Sequence, residues 1–214
     1  IAMHGPLGKW VTLDPVTQMI LAILDGRTRE ETSTQAFLRL CMHCPRWEDV
    51  LGIPADTIER LIQPVMYAQK KAGQIHGALQ KITNYCGTLN LDFLQNYPVN
   101  DARAWLEDLP GVGPKVSAAV VNFSTLHMPA LVVDSHYMRV ARRLGFVAAD
   151  VSDNVVHRSL ARLVPDEMTA DDLEQHYFVV KRLGQTVCHR SAPACHACPL
   201  RTICPTGKRR CGEL

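Results

Sequence analysis

Four cysteines near the C-terminus constrain this chain more than any other feature. They are spaced Cys188-x6-Cys195-x2-Cys198-x5-Cys204, four soft thiolates within 17 residues. Such a set suits a tetrahedral sulfur site, either zinc or an iron–sulfur cluster, and spacing alone does not choose between them. A disulfide framework is the weaker reading, because the rest of the chain looks cytosolic and disulfides rarely persist there. The remaining cysteines are Cys41, Cys44, Cys86 and Cys211. Cys41-x2-Cys44 has no second pair beside it. A redox or zinc half-site is one reading of it; the plainer one, shared with Cys86, is ordinary helix-end thiols of the kind often found buried. Cys211 lies outside the four-cysteine spacing and receives no role.

The 214 residues are 47% hydrophobic and 21% charged, which is globular and fits one large domain or two small ones. No run approaches the ~18 apolar residues of a membrane span. The opening Ile1-Ala2-Met3-His4-Gly5 lacks a basic region followed by an apolar stretch, and reads as a tag remnant rather than a signal peptide. A cytosolic protein without a membrane partner is expected. Charge is uneven: seven Lys or Arg and one acid from Lys181 onward, against 16 basic and 20 acidic residues before it. A basic end on a mildly acidic body points to an anionic partner met by one face, unless it is simply a solvated tail.

The pattern is helical almost throughout. Leu61 and Ile62, then Ile75, Leu79, Ile82 and Cys86, recur at three- and four-residue spacing, the period of a helix with one buried face. Asp14-Pro15 predicts a helix start running to about Leu24. Thr32 or Ser33 is the expected cap of the next helix, and Asp101 of a short one ending near Leu109. Pro114 opens another to about Phe123. Later helices are predicted over 135–144, 154–163 and 171–186. Ala130–Val133 is a short apolar piece that can be extended.

Two glycines in Leu109-Pro110-Gly111-Val112-Gly113-Pro114-Lys115 permit a tight turn whose free amides can cradle a phosphate at the following helix start. A Gly-x-Gly by itself is more often just a turn. Lys115 falls in the first turn of that helix, where the dipole disfavours its charge and favours a nucleophilic amine. A surface lysine touching phosphate is the plainer alternative. Asp134, in Leu131-Val132-Val133-Asp134-Ser135-His136, stands where a helix cap belongs.

Taken together, these residues resemble the endonuclease III family of DNA glycosylases over roughly Asp14 to Cys204. The four-cysteine spacing is similar to that family's [4Fe-4S] loop, which ranks iron–sulfur above zinc. LPGVG between helices resembles its helix-hairpin-helix, and VVDSH its "VDTH" segment. Lys115 then falls on the catalytic lysine, Asp134 on the catalytic aspartate and His136 on the histidine two beyond it. His136 either orients the aspartate loop or approaches a phosphate. Gly111, Gly113 and Arg190 would meet the DNA backbone. The implied fold is all-α, the helix-hairpin-helix DNA glycosylase fold. It pairs a six-helix barrel domain (15–127, hairpin about 102–126) with a discontinuous helical cluster domain (1–14 and 128–214, cluster loop 188–204).

The implied activity is that of a bifunctional DNA glycosylase and abasic-site lyase in base excision repair, excising damaged bases, oxidised pyrimidines first. Its partner is double-stranded DNA carrying damaged bases or abasic sites. The protein would be a monomer in the bacterial cytoplasm, associated with the nucleoid. Two alternatives stay open: a glycosylase of mismatched or alkylated bases on the same fold, and a non-catalytic DNA-binding protein.

The chain departs from the family at two gap-facing positions. Asp25-Gly26-Arg27-Thr28 lies over the family's "SAQATD", placing Arg27 on the glutamine that enters the space left by the flipped nucleotide. Tyr67 falls on the wedge position, with Met66 where glycine is common. Arg27 carries donors for an orphaned base, a phosphate or Asp25. Tyr67 offers a ring that either stacks in the gap or packs between helices. Ala22 occupies the place of the catalytic glutamate in the adenine-removing branch, which argues against adenine removal.

Overall fold

The computed structural model describes residues 12–148 and 150–212. The tag reading of Ile1–Gly5 and all but 12–14 of the expected N-terminal cluster-domain piece lie outside the described residues, as does the acid Glu213. The chain divides into two compact units, one ending at Met128 and the other starting at Pro129.

Among the described residues the first unit holds seven helices: α1 (Pro15–Asp25), α2 (Glu30–His43), α3 (Trp47–Leu51), α4 (Ala55–Ile62), α5 (Ala68–Cys86), α6 (Val99–Glu107) and α7 (Pro114–Phe123). A 3-10 turn, Asp92–Asn96, joins α5 to α6. The second unit holds α8 (Ser135–Leu144), α9 (Asp153–Ala161), α10 (Ala170–Thr186), a 3-10 turn at Cys195–Ala197, and α11 (Pro205–Arg210).

Helix starts follow local chemistry. Asp14 caps α1 by accepting from the amides of Val16 and Thr17, each at 3.0 Å, with Pro15 in the first turn. Such a cap stabilises a helix by about 1 kcal/mol. α7 and α8 span the ranges their signals predict. The cap expected at Thr32 or Ser33 is corrected: α2 begins at Glu30 after Arg29. Ser33 lies inside the helix, its hydroxyl 3.0 Å from the carbonyl of Glu30. Asp101 likewise sits in the first turn of α6, which begins after Pro98. Residues 130–133 are buried but join no strand.

In the first unit α1 packs against α7, α2 and α5, and α4 lies along α5. Met19, Ile20 and Leu24 of α1, Ile58 and Ile62 of α4, and Ile75, Leu79 and Ile82 of α5 are all fully buried. Leu13 makes an isolated parallel bridge to Ser124, so the start of the described chain travels with the end of α7. In the second unit α8 packs against α10 and α11.

The hairpin between α6 and α7 is anchored by two apolar residues, Leu109 and Val112, both buried. The amide of Val112 donates to the carbonyl of Leu109 at 3.1 Å. Gly111 takes a φ of +82°, and a Cβ there would lie 2.9 Å from Cβ of Gln74 on α5. Backbone conformation and close approach therefore both demand glycine. Nothing lies within 4 Å of a Cβ at Gly113. The two glycines should separate in denaturant unfolding. Gly111→Ala is expected to lose about 1–3 kcal/mol, whereas Gly113→Ser, which keeps a capping residue, should stay within about 0.5 kcal/mol. Equal losses would mean that the hairpin does not depend on the left-handed turn.

Candidate active site and DNA-facing loops

Lys115 occupies the second position of α7, directly beyond the hairpin. Its ammonium forms an ion pair with the carboxylate of Asp25, the last residue of α1. Both side chains are about a quarter exposed, 23% and 28%, so the amine is held yet open to a substrate. The first-turn amides of α7 have no intrahelical acceptor. Beside them, nothing lies within 4 Å of where a Cβ would stand at Gly113.

Below this pair lies a buried lysine. Lys71 of α5 is 6% exposed. Its Nζ donates to the carbonyls of Leu24 at 2.7 Å and Gly26 at 2.6 Å, and to Oγ1 of Thr28 at 3.2 Å. Burial pushes its ammonium down to about 8; Asp25 works against that shift and Lys115 adds to it. The lysine thus closes the C-terminal end of α1, where carbonyls lack helical partners and the dipole favours a cation.

Thr28 continues the link. Its hydroxyl oxygen accepts from the amide of Met66 at 3.2 Å. The loop carrying Arg27 is therefore tied to the loop carrying Tyr67. Both residues are exposed and both have left-handed backbone, φ 56° for Arg27 and φ 60° for Tyr67. Left-handed conformations are unfavourable for such side chains and concentrate at functional loops. Met66, beside Tyr67, is 51% exposed.

In the second unit Asp134 caps α8. Its Oδ1 accepts from the amide of Tyr137 at 2.8 Å, and its Oδ2 from the hydroxyl of Tyr177 at 3.3 Å. The capping role read from the sequence is present, and Tyr177 adds a second constraint. The hydroxyl of Tyr137 lies 3.2 Å from Nδ1 of His176, and burial pushes the Tyr137 phenol up to about 12. His136 packs on Gly184 of α10, where a Cβ would come within 2.8 Å of its own. Its Nδ1 lies 3.0 Å from Nη2 of Arg139. This contact pattern suits orientation of the Asp134 turn.

Two arginines of α8, unmarked in the sequence, organise the cysteine loop. Arg139 donates to the carbonyls of Cys188 at 2.8 Å and Gly184 at 2.7 Å. Arg143 donates to the sulfur of Cys188 at 3.0 Å and to the carbonyls of His189 at 2.8 Å and Arg190 at 2.9 Å. The amide of Gly207 points at the sulfur of Cys204 at 3.4 Å. Arg190 is exposed. Cys195 is buried, and burial raises its thiol, with Cys211, Cys188 and Cys204 all close enough to add to the rise. Cys195 and Cys211 share the wall of a cavity of about 390 Å³. Among the described residues no three His, Cys, Asp or Glu side chains form a ready-made metal site. The hydrogen-bond donors aimed at the sulfurs of Cys188 and Cys204 are nevertheless of the kind that would support a thiolate-held group.

Similarity to known proteins agrees with this geometry. Residues 20–166 match the HhH-GPD superfamily, base excision DNA repair proteins. A candidate DNA glycosylase of Arabidopsis thaliana is 33% identical over 72% of this chain, which spans only 52% of that protein. Endonuclease III of Bacillus subtilis is 28% identical over 92% of this chain and 84% of its own length. An endonuclease III solved in a non-covalent DNA complex has a TM-score of 0.78 and 26% identity, covering 99% of this chain and 91% of that one. A trapped covalent endonuclease III–DNA intermediate has a TM-score of 0.76 and 27% identity, over 98% and 91%. With the hairpin, the lysine behind it and the capped aspartate in place, the chain belongs to the HhH-GPD superfamily of base excision DNA repair proteins.

Proposed function

We infer that this protein is a bifunctional DNA glycosylase and abasic-site lyase acting on damaged bases in double-stranded DNA. The observation that carries the reading is the placement of Lys115, partly exposed immediately behind a glycine hairpin and held by a carboxylate. The likeness to an endonuclease III trapped covalently on DNA supports it. Neutral Lys115 attacks C1′ of the damaged nucleotide, and the base leaves with the electrons of the glycosidic bond. Asp134 stabilises the positive charge that grows on the sugar as that bond breaks. The sugar ring then opens to an imine, a proton leaves C2′, and the C3′–oxygen bond breaks to release the 3′ phosphate. Gly111, Gly113 and Arg190 hold the DNA backbone, and His136 keeps the Asp134 turn in position. Oxidised pyrimidines are the first substrate class to test.

The test is trapping with borohydride. Lys115→Gln should abolish the covalent enzyme–DNA adduct while leaving DNA affinity within a few fold. An undiminished adduct would assign the chemistry to another amine. Asp134→Asn keeps an N-cap acceptor and should slow base release about a hundredfold, with a much smaller effect on nicking a pre-made abasic site. Equal small losses in both steps would leave Asp134 as a cap and nothing more.

Cys188, Cys195, Cys198 and Cys204 are proposed to hold a [4Fe-4S] cluster, which would cross-link the end of α10 to the start of α11. In this reading 15–127 is the barrel and 128–214, with 1–14, the cluster domain. Purified protein should contain roughly four iron atoms per chain, and Cys198→Ser should lose the iron together with folding. One zinc and no iron would refute the cluster.

Arg27 and Tyr67 are proposed to fill the gap left by the extruded nucleotide. Their shared left-handed backbone and the Thr28–Met66 tie support a paired action. Tyr67→Ala should slow excision from duplex more than from single strands, where little stacking must be broken. Arg27→Gln should change the dependence on the opposite base. Identical profiles against all four bases would remove any reading role for Arg27.

A further inference from the structure

Three charged groups from three helices meet around the hairpin lysine. Asp25 comes from the end of α1, Lys71 from α5 and Lys115 from α7. Asp25 is ion-paired to Lys115, and Lys71 lies close enough to feel both Asp25 and Lys115. From α6, Arg103 reaches the carbonyl of Pro114 at 3.3 Å and pairs with Glu107 at 3.5 Å. Asp25 lies 90 positions from Lys115 in the chain. Neither Asp25 nor Lys71 has any part in the chemistry described above.

We propose that Asp25 is a positioning residue for Lys115, and that its carboxylate and the buried Lys71 ammonium act in opposition on how readily Lys115 gives up its proton. The proposal rests on the reading of Lys115 as the attacking amine and adds the device that sets its readiness. Only a neutral amine has the lone pair that forms the bond to C1′. A carboxylate alongside favours the ammonium; a second ammonium disfavours it. Lys71 cannot swing away to relieve the conflict, because three acceptors at the end of α1 fix its Nζ. Asp25 is fixed too, as the last residue of the same capped helix. The two opposing charges are therefore at set positions.

The sign of each perturbation follows. Asp25→Asn removes the negative charge, so Lys115 loses its proton at lower pH. Lys71→Gln removes the positive charge that Lys71 carries up to about pH 8, so below that pH Lys115 holds its proton more firmly. A purely structural role for either residue would lower the rate equally at every pH.

The experiment is single-turnover nicking of a pre-made abasic-site duplex, measured from acid to alkaline pH, with circular dichroism confirming the fold of each variant. The rising limb of the rate profile is expected to move about one pH unit down in Asp25→Asn and to move up in Lys71→Gln. Asp25→Glu, which keeps the charge, should leave the limb in place. Lys71→Gln breaks three buried hydrogen bonds; if it fails to fold, the contrast between Asp25→Asn and Asp25→Glu decides alone. Limbs that stay where wild type has them, or that move the same way in Asp25→Asn and Lys71→Gln, overturn the proposal. The borohydride arm separates it from the reading beneath. An adduct that vanishes in Lys115→Gln while Asp25→Asn keeps the wild-type limb rejects the role of Asp25 alone. An adduct that persists in Lys115→Gln rejects both.

Discussion

The buried ammonium of Lys71 is the contact on which the arrangement of the first unit's functional loops depends. Taking an ammonium out of water costs several kcal/mol unless acceptors replace its hydration. Here two carbonyls at the end of α1 and the Thr28 hydroxyl do so. Those carbonyls belong to the last turn of α1, where helical partners run out, so each side satisfies the other. The consequence is geometric. α1 ends where α5 passes, and the chain leaves α1 through Gly26, whose carbonyl accepts from Nζ of Lys71. Asp25, Arg27 and Thr28 are then fixed by a group that is itself buried.

The hairpin depends on a constraint of the opposite kind, the absence of a side chain. Gly111 lets the turn close against Gln74 with a backbone that other residues rarely adopt. Leu109 and Val112 hold the turn down by burial, leaving the backbone rather than side chains to face outward. A surface made of amides recognises phosphate without regard to sequence. The loops carrying Arg27 and Tyr67 are joined by the hydrogen bond from the Met66 amide to the Thr28 hydroxyl.

Legibility in the sequence tracked the range of the interaction. Wherever a proline or a capping carboxylate fixed a helix start, as at Pro15, Pro114 and Asp134, the boundary was readable, because the information sits within three residues. The start of α2 is misplaced by the sequence because Thr32 and Ser33 look like cap residues, while the first turn is in fact filled by Glu30 and Glu31. α3 and α11 are too short to show a period. The hairpin lysine and the four-cysteine spacing are visible as local motifs. The Asp25–Lys115 pair is not: no local pattern reports on a partner 90 residues away. Lys71 is hidden for a related reason. It sits beside Lys70 in a polar stretch, and only the packing of α5 against α1 sends one of the two inward.

The second unit shows how a loop of cysteines can be ordered by groups that do not carry sulfur. Arg139 and Arg143 lie about one helical turn apart on α8, and between them they hold the carbonyls of Gly184, Cys188, His189 and Arg190. Planar guanidinium groups fix several acceptors at once, which a lysine's point charge does not. Arg143 also meets the sulfur of Cys188, and its own carbonyl accepts from the thiol of Cys204 at 3.2 Å. The first and last cysteines of the set are thereby referred to one residue of α8. That same helix begins at Asp134. One helix of about three turns therefore carries the Asp134 cap at its start and, near its end, the residue that meets the first and last cysteines of the set.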